Sequence, residues 1–291
     1  MPVQGQVGKQ LTDAVSGLEQ SQVLDGPADA ISRAVSKVTG ADAVKNLLSG
    51  AWLGHALHPV LTDLPIGFWS SAVALDFFAG EDAEDGAELL MGLGNLGAVA
   101  AAASGLADWS DSYGPEKRVG MLHGVANTAG LVLMTGSWLA RRSGEKGLGR
   151  ALGLVGLGVA SASAYLGGHL VFSRGMGVQH AGFDLDQAVE DWADVAAEAD
   201  LVEGKPLLAT AGEVPVLLFR EAGQLLALAN RCSHAAGPLN EGDFRDGAVT
   251  CPWHGSRFAL EDGCVLRGPA SLPQPRFEAR VREGRVQVRS A

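Results

Sequence analysis

The sequence predicts α and β structure in separate domains, with a four-helix transmembrane bundle followed by a small all-β domain. Long apolar runs in the middle of the chain predict the bundle, and short apolar runs divided by turn residues predict the β domain in the last third. Of the 291 residues, 47% are apolar and 19% are charged, whereas an ordinary soluble domain has about 25% charged residues. The net charge of −11 argues against a nucleic-acid-binding protein, because that class carries basic stripes.

Residues 1–49 form a polar to amphipathic N-terminal segment. Apolar side chains between Ala28 and Leu48 recur at roughly the spacing of one helix face. Such a face either lies on the membrane surface or packs against its own domain. We expect the packed arrangement, since an apolar helix stripe ordinarily faces a core.

Residues 50–180 contain the predicted bundle, a four-helix transmembrane domain. Its apolar segments are Val60–Gly80, Leu89–Ala107, Val119–Ala140 and Ala151–Phe172. The last three contain no Asp, Glu, Lys or Arg and have about the 20 residues that a helix needs to cross the hydrocarbon core. The first is weaker because it contains two aspartates and a proline. A buried soluble bundle is the alternative, and three successive uncharged runs argue against it.

Four crossings predict an integral membrane protein with both termini on the same side of the bilayer. Lys and Arg residues near the helix ends are balanced between the two sides, so the positive-inside rule does not decide the orientation. The lack of a cleavable or twin-arginine signal favours cytoplasmic termini.

A linker is predicted at 181–190, and residues 191–291 have the pattern of a small all-β domain. The apolar runs 214–220 and 224–230 are separated by turn residues around Gly223. The alternating runs 277–283 and 285–290 are separated at Gly284. Both pairs are typical of β-hairpins.

The strongest motif lies inside this domain. Cys232-Ser233-His234 is followed after sixteen residues by Cys251-Pro252-Trp253-His254. Two Cys and two His at short paired spacings indicate a metal site. Structural zinc takes the same ligands, but zinc sites usually begin from paired cysteines. One Cys and one His in each loop favour a 2Fe–2S cluster, in which two thiolates hold one iron and two imidazoles hold the other.

Residues 191–291 resemble a Rieske ferredoxin-type domain, through RCSHAAGPLNEG (231–242), CPWHGSRF (251–258) and GPASLPQPRF (268–277). The resemblance implies that Cys232 and Cys251 bind the buried iron and that His234 and His254 bind the outer, surface-proximal iron.

The sequence departs from the high-potential Rieske proteins of quinol-oxidising complexes. Those proteins have an extra disulfide between the loops, and the matching positions here are Gly237 and Trp253. Ser256 matches a serine that donates a hydrogen bond to the cluster, whereas Phe258 lacks the hydroxyl of the corresponding tyrosine. Because hydrogen bonds to the sulfurs raise the potential, we expect a potential below that class. Cys264 lies outside both loops, and we expect it to be buried and to pack as a small apolar side chain.

Four histidines accompany the predicted bundle, and the helix directions place all of them near one membrane face: His55, His58, His123 and His169. Three interpretations remain open. The first is a haem b with two histidine ligands, which fits a four-helix bundle. The second is a site for another metal or for a quinone. The third is that the histidines bind no cofactor and lie at the membrane interface. Polar residues within the helices are expected to form interhelical hydrogen bonds: Asp76, Asn95 and Asn127.

The segments GAWLGHALHPVLTDLPIGFW (50–69) and ADWSD (107–111), with the His123 helix, are similar to an uncharacterised bacterial four-helix membrane family with a His-Pro signature. That family is sometimes fused to Rieske domains. The resemblance implies a protein embedded in membrane lipid and assigns no activity.

We predict a membrane-anchored Rieske electron-transfer protein. We expect an electron carrier or an oxidoreductase subunit rather than a complete enzyme. It passes single electrons from a ferredoxin reductase-like protein or a quinol to a partner redox enzyme or to a cofactor in the bundle. No flavin or nicotinamide motif and no second iron site are recognisable. The alternatives are a redox or iron sensor, whose cluster state controls the membrane domain, and a simple tethered ferredoxin.

Overall fold

The computed structural model describes residues 5–182 and 189–291. It contains two compact units. One consists of the chain up to Gly40 together with Leu57–Met176, and the other consists of Ala41–Ala56 together with Gly177–Ala291. The linker predicted at 181–190 falls largely on residues 183–188, which lie outside the described residues.

The α-helices are α1 (Gln6–Gln20), α2 (Asp25–Thr39), α3 (Asp42–Ser49), α4 (Leu57–Phe78), α5 (Glu84–Trp109), α6 (Gly114–Arg142) and α7 (Lys146–Phe172). The four apolar segments predicted from the sequence are therefore helical. Within the described residues, α5, α6 and α7 are long and apolar enough to cross a membrane. Helix α4, which carries Asp63 and Asp76, does not belong to that group, so a fourth crossing remains a prediction.

Close packing in the helical unit depends on small residues. Helix α4 packs along α5, and α6 packs along α7. A Cβ atom at Gly94 would lie 2.4 Å from the ring of Trp69, so α4 and α5 approach each other where α5 has no side chain. The indole of Trp69 donates a hydrogen bond to Asn95 at 3.1 Å, as expected for an interhelical polar contact. Asn127 differs from the prediction, because its amide bonds His123 on the same helix.

The N-terminal helices α1 and α2 pack on the long helices. Val15 of α1 lies in a buried cluster with Val119 and Leu170, and Ala28 of α2 lies in another with Trp109 and Met121. The prediction of one continuous helix face from Ala28 to Leu48 is wrong, because α2 ends at Thr39. A Cβ atom at Gly40 would lie 2.6 Å from the carbonyl oxygen of Ser36, and Ala41 is extended. The chain therefore breaks there, and α3 belongs to the second unit.

The described residues of the second unit form ten short strands: β1 (Ala193–Ala197), β2 (Leu207–Ala211), β3 (Val214–Glu221), β4 (Gln224–Ala229), β5 (Asp243–Arg245), β6 (Ala248–Thr250), β7 (Arg257–Ala259), β8 (Val265–Arg267), β9 (Phe277–Arg282) and β10 (Arg285–Ser290). They form three antiparallel sheets with the orders β1–β10–β9, β2–β3–β4 and β5–β6–β7–β8. Both predicted hairpins are present, as β3–β4 and β9–β10. The small all-β domain is thus confirmed.

Candidate metal centre

Two loops with matching backbone geometry carry the predicted ligands. In the loop after β4, the amide of Ala236 donates to the carbonyl of Cys232, and the amide of Cys232 donates to the carbonyl of Gly237. In the loop after β6, Gly255 donates to the carbonyl of Cys251, and Cys251 donates to the carbonyl of Ser256. Ala236 and Gly255 both have positive φ, at 60° and 71°. Each loop is therefore a tight turn built around its cysteine.

The loops bring the four predicted ligand side chains together. Cys232 and Cys251 are buried, and their thiols are hydrogen-bonded to each other. The imidazole rings of His234 and His254 lie edge to face with their centroids 4.8 Å apart. The two thiols thus form one pair and the two imidazoles form another.

The environment favours the metal-binding forms of His234 and Cys251. Burial lowers the pKa of His234 to about 3, and the charges of His254, Lys45 and His180 act in the same direction. The hydrogen bond from Cys232 lowers the pKa of Cys251 to about 7, with help from the amides of Trp253 and His254, and it raises the pKa of Cys232. A neutral imidazole and a thiolate are the protonation states that bind metals.

The residues fit a binuclear cluster better than a single ion. Among the described residues, no three His, Cys, Asp or Glu side chains converge tightly enough to hold one metal ion. A tetrahedral zinc site would require such convergence. Nδ1 of His234 is buried and has no hydrogen-bond partner within the described parts of the chain. A buried imidazole nitrogen normally has a partner. A cluster held by the two thiols and the two imidazoles would supply that partner.

A third loop, residues 268–276, holds the first loop in place through Gln274. Oε1 of the Gln274 side chain accepts the amide hydrogen of Ser233 at 2.9 Å, and Nε2 donates to the carbonyls of Ala229 and Arg231 at 2.7 and 2.6 Å. Gln274 is only 2% exposed. Gln274 is not among the site residues predicted from the sequence, although its place in the proline-rich segment was a signal.

The structure also shows the surroundings of four other positions that the sequence singles out: Ser256, Phe258, Gly237 and Cys264. Ser256 is fully buried and accepts the amide hydrogen of Ala270 at 3.0 Å, which leaves its hydroxyl hydrogen for another acceptor. Phe258 is a core residue. A Cβ atom at Gly237 would lie 2.8 Å from Sγ of Cys251, so the first loop needs a glycine there. Cys264 is exposed, and the prediction of a buried residue is wrong because it follows a surface turn after β7.

The histidines of the helical unit fall into two groups. Nδ1 of His58 lies 2.9 Å from the carbonyl oxygen of Ala101, and Nδ1 of His123 lies 2.9 Å from the carbonyl oxygen of Ser163. The two rings are near enough to interact electrostatically. His169 instead bonds the carboxylate of Glu19 through Nε2 at 2.8 Å.

A glycine accommodates each ring of the first group. A Cβ atom at Gly105 would lie 2.6 Å from Cε1 of His58, and one at Gly167 would lie 2.9 Å from Cε1 of His123. In both cases the glycine lies one helical turn after the residue whose carbonyl accepts the hydrogen bond. The α4–α5 and α6–α7 pairs therefore repeat the same histidine–carbonyl–glycine arrangement.

Paired Cys/His loops on a small all-β fold define the class of iron–sulfur domain in which two cysteines and two histidines hold a 2Fe–2S cluster. Residues 191–278 match the Rieske [2Fe-2S] domain family, and residues 54–180 match a family described as a predicted membrane protein (DUF2231). The chain belongs to the Rieske family, joined to a membrane-protein domain, and a Rieske domain implies a 2Fe–2S cluster.

The curated relatives match the C-terminal third. The anthranilate 1,2-dioxygenase ferredoxin subunit of Burkholderia cepacia is 29% identical over 35% of this chain and 95% of its own length. Ferredoxin CarAc of Metapseudomonas resinovorans is 31% identical over 33% of this chain and 92% of its own. The structure of the carbazole 1,9a-dioxygenase ferredoxin from Nocardioides aromaticivorans IC177 aligns over 35% of this chain and 100% of its own, at 26% identity and a TM-score of 0.33.

Proposed function

We propose that this protein is a membrane-anchored electron carrier whose cluster ligands are Cys232, His234, Cys251 and His254. The observation that carries the proposal is the arrangement of the paired thiols and paired imidazoles on two matching loops. A 2Fe–2S cluster bound there supplies reversible one-electron transfer. The loop amides donate toward the cysteine sulfurs, and Ser256 of the second loop accepts the amide hydrogen of Ala270, which leaves its hydroxyl hydrogen to donate.

The partners in this proposal are redox proteins. The relatives named as ferredoxin subunits belong to dioxygenases, and this chain covers nearly their whole length. We expect a reductase-like donor and a redox enzyme as acceptor, with a membrane quinol as the alternative donor. Trp253 is 51% exposed and lies edge to face with His254, with ring centroids 6.4 Å apart. This tryptophan is the natural contact surface for a partner beside the outer iron ligands.

The membrane anchor in this proposal has four crossings, with α4 as the fourth. One of the two charges that weaken α4 as a membrane segment is neutralised inside the bundle, because Asp76 is paired with Arg141. Burying a paired carboxylate costs much less than burying an isolated one. Four crossings would put both termini on the same side of the membrane, and we propose that this side is the cytoplasm.

A cofactor in the helical unit is the second candidate, and the matched placement of His58 and His123 favours it. A histidine whose Nδ1 is bonded to a carbonyl oxygen presents Nε2 as the ligating atom, which is the usual orientation of haem and metal ligands. At His123 the ligand would replace the hydrogen bond that Nε2 makes with the amide of Asn127 at 3.0 Å. Purified full-length protein should then show haem bands in a reduced-minus-oxidised spectrum. Loss of those bands in His58→Ala and His123→Ala, with retention in His169→Ala, would assign the ligands, and their absence from haem-supplied protein would reject haem.

The main proposal is tested by spectroscopy of the full-length protein in detergent. His254→Ala should abolish the Rieske absorption and electron paramagnetic resonance (EPR) signals, while Cys264→Ser, outside both loops, should retain them. An unchanged spectrum in His254→Ala would contradict the assignment of His254 as a ligand. Binding of a partner that depends on cluster oxidation state without electron transfer would favour the sensor. Unchanged electron transfer after removal of the helical unit would favour the simple tether.

A further inference from the structure

Helix α3 lies against the cluster loops although the membrane domain separates it from them in sequence. The side-chain amide of Asn46 donates to the carbonyl of Leu266 at 3.0 Å, and the amide of Gly268 donates to Oδ1 of Asn46 at 2.9 Å. Asn46 therefore satisfies backbone groups on both sides of Arg267, at the beginning of the third loop. A Cβ atom at Gly268 would lie 2.6 Å from Oγ of Ser49, so the two segments are in close contact.

An ion pair extends this contact to the second ligand loop. Asp42 accepts a hydrogen bond from Nε of Arg267 at 3.0 Å. Nη1 of the same arginine donates to the carbonyls of Gly255 and Gly268 at 3.1 and 3.0 Å. Gly255 directly follows the predicted ligand His254. Helix α3 is thus connected through one side chain to the loop that carries the outer-iron histidine.

Lys45 lies on the same face of α3, between Asp42 and Ser49. It is only 2% exposed, whereas lysine is almost never fully buried. Its Cγ would lie 3.6 Å from a Cβ atom at Gly268, and its charge acts on the imidazole of His234. The packing of α3 therefore buries the Lys45 side chain against the start of the third loop, beside the segment that Arg267 connects to the loop of His254.

We propose that α3 is a structural part of the cluster site and that Lys45 is a positioning residue whose positive charge raises the reduction potential of the cluster. This inference rests on the proposed function, since it requires the cluster in that site. One electron arrives from the donor and leaves to the acceptor, and Lys45 takes no part in the transfer. While the electron is present, the site is more negative by one charge, and a nearby buried cation stabilises that state with little screening by salt.

The test is a redox titration of the full-length protein in detergent, followed by EPR, at low and high salt. Lys45→Met and Lys45→Gln remove the charge in side chains of similar length, and Lys45→Arg keeps it. The matched control is Lys205→Gln, an exposed lysine of the same unit. At a fixed ambient potential, each neutral variant should lower the ratio of reduced to oxidised cluster about tenfold, which is about 59 mV for one electron.

The shift should persist at high salt and should be absent in Lys45→Arg and Lys205→Gln. An unchanged potential in both neutral variants, with a normal EPR signal, would overturn this inference and leave the proposed function standing. A shift that disappears at high salt would also overturn it, because a surface charge would suffice. A wild-type protein without a Rieske signal would instead overturn the proposed function.

Discussion

Arg141 of α6 and Asp76 of α4 form a bidentate ion pair inside the helical unit. Nη1 donates to Oδ1 at 2.8 Å and Nη2 donates to Oδ2 at 2.5 Å. The side chains are 4% and 7% exposed. Since the pair is almost fully removed from solvent, the charge of Arg141 depends on Asp76, which also lies 3.8 Å from Nε of Arg150. The contact joins two long helices that are not neighbours in sequence.

Breaking this ion pair should destabilise the helical unit. Asp76→Asn leaves the guanidinium buried without a counter-charge, which costs about 3 to 5 kcal/mol. We expect a large drop in thermal stability in detergent. The double variant Asp76→Leu/Arg141→Met removes both charges and should recover most of the loss. Equal destabilisation by the single and double variants would contradict this account.

Helix α7 offers a matched pair of glycines for a packing test. Gly167→Ala places a Cβ atom 2.9 Å from the ring of His123, whereas no atom lies within 4 Å of a Cβ at Gly158. Overpacking of this kind costs about 1 to 3 kcal/mol, so Gly167→Ala should lower the midpoint of thermal unfolding. Gly158→Ala should leave it unchanged or slightly higher. The prediction fails if the two variants unfold at the same temperature.

Removal of the Ser256 hydroxyl should lower the reduction potential. Its oxygen accepts from Ala270, and its hydrogen is free to donate to the cluster. Loss of one such bond in Ser256→Ala should cost about 1.4 kcal/mol in the reduced state, on the order of 60 mV for one electron. Voltammetry on the purified protein measures this shift. Ser271→Ala, in the third loop, is the control, and an equal shift there would count against a specific role for Ser256.

Gln274 should determine how long the first loop retains the cluster. Gln274→Leu keeps the approximate volume but leaves the amide of Ser233 and the carbonyls of Ala229 and Arg231 unsatisfied, at about 1 to 3 kcal/mol for each buried group. Visible circular dichroism should be lost at a lower temperature than in wild type. Gln287→Leu, which removes an exposed bond to Asp194 and the bond from Nε of Arg280 but touches no ligand loop, should have a much smaller effect.

The reduction potential of the wild-type cluster tests the effect of the two differences from the high-potential Rieske proteins. The loops have no extra disulfide, and Phe258 has no hydroxyl, so two features of the high-potential class are missing. A potential near the lower end of the Rieske range, about −150 to +300 mV, is expected from equilibrium titration. A value near the upper end would show that other groups compensate for the missing hydroxyl and disulfide.

The parts of the fold that were predictable depend on local patterns. The hairpin at Gly223 follows from turn residues between apolar runs, and the long helices follow from uncharged apolar runs. The break at Gly40 was missed because α3 packs on strand β8, a partner that periodicity does not reveal. Lys45 was missed for the same reason. Four ligand candidates were visible because their chemistry and spacing are local to two loops, whereas the carbonyl partners of His58 and His123 depend on how the helices pack.

The position of α3 also affects how the protein is made. Asn46 and Leu266 are 220 residues apart, so ribosomes adding about 5 to 20 residues per second produce them roughly 10 to 45 s apart. During that interval the long helices are synthesised while α3 still lacks the strand on which it packs. The second unit therefore cannot be completed until the helices between its two parts have been synthesised. A nascent chain that stalls before Gly268 would leave the contact face of α3 uncovered. We expect chaperones or proteases to recognise that uncovered face.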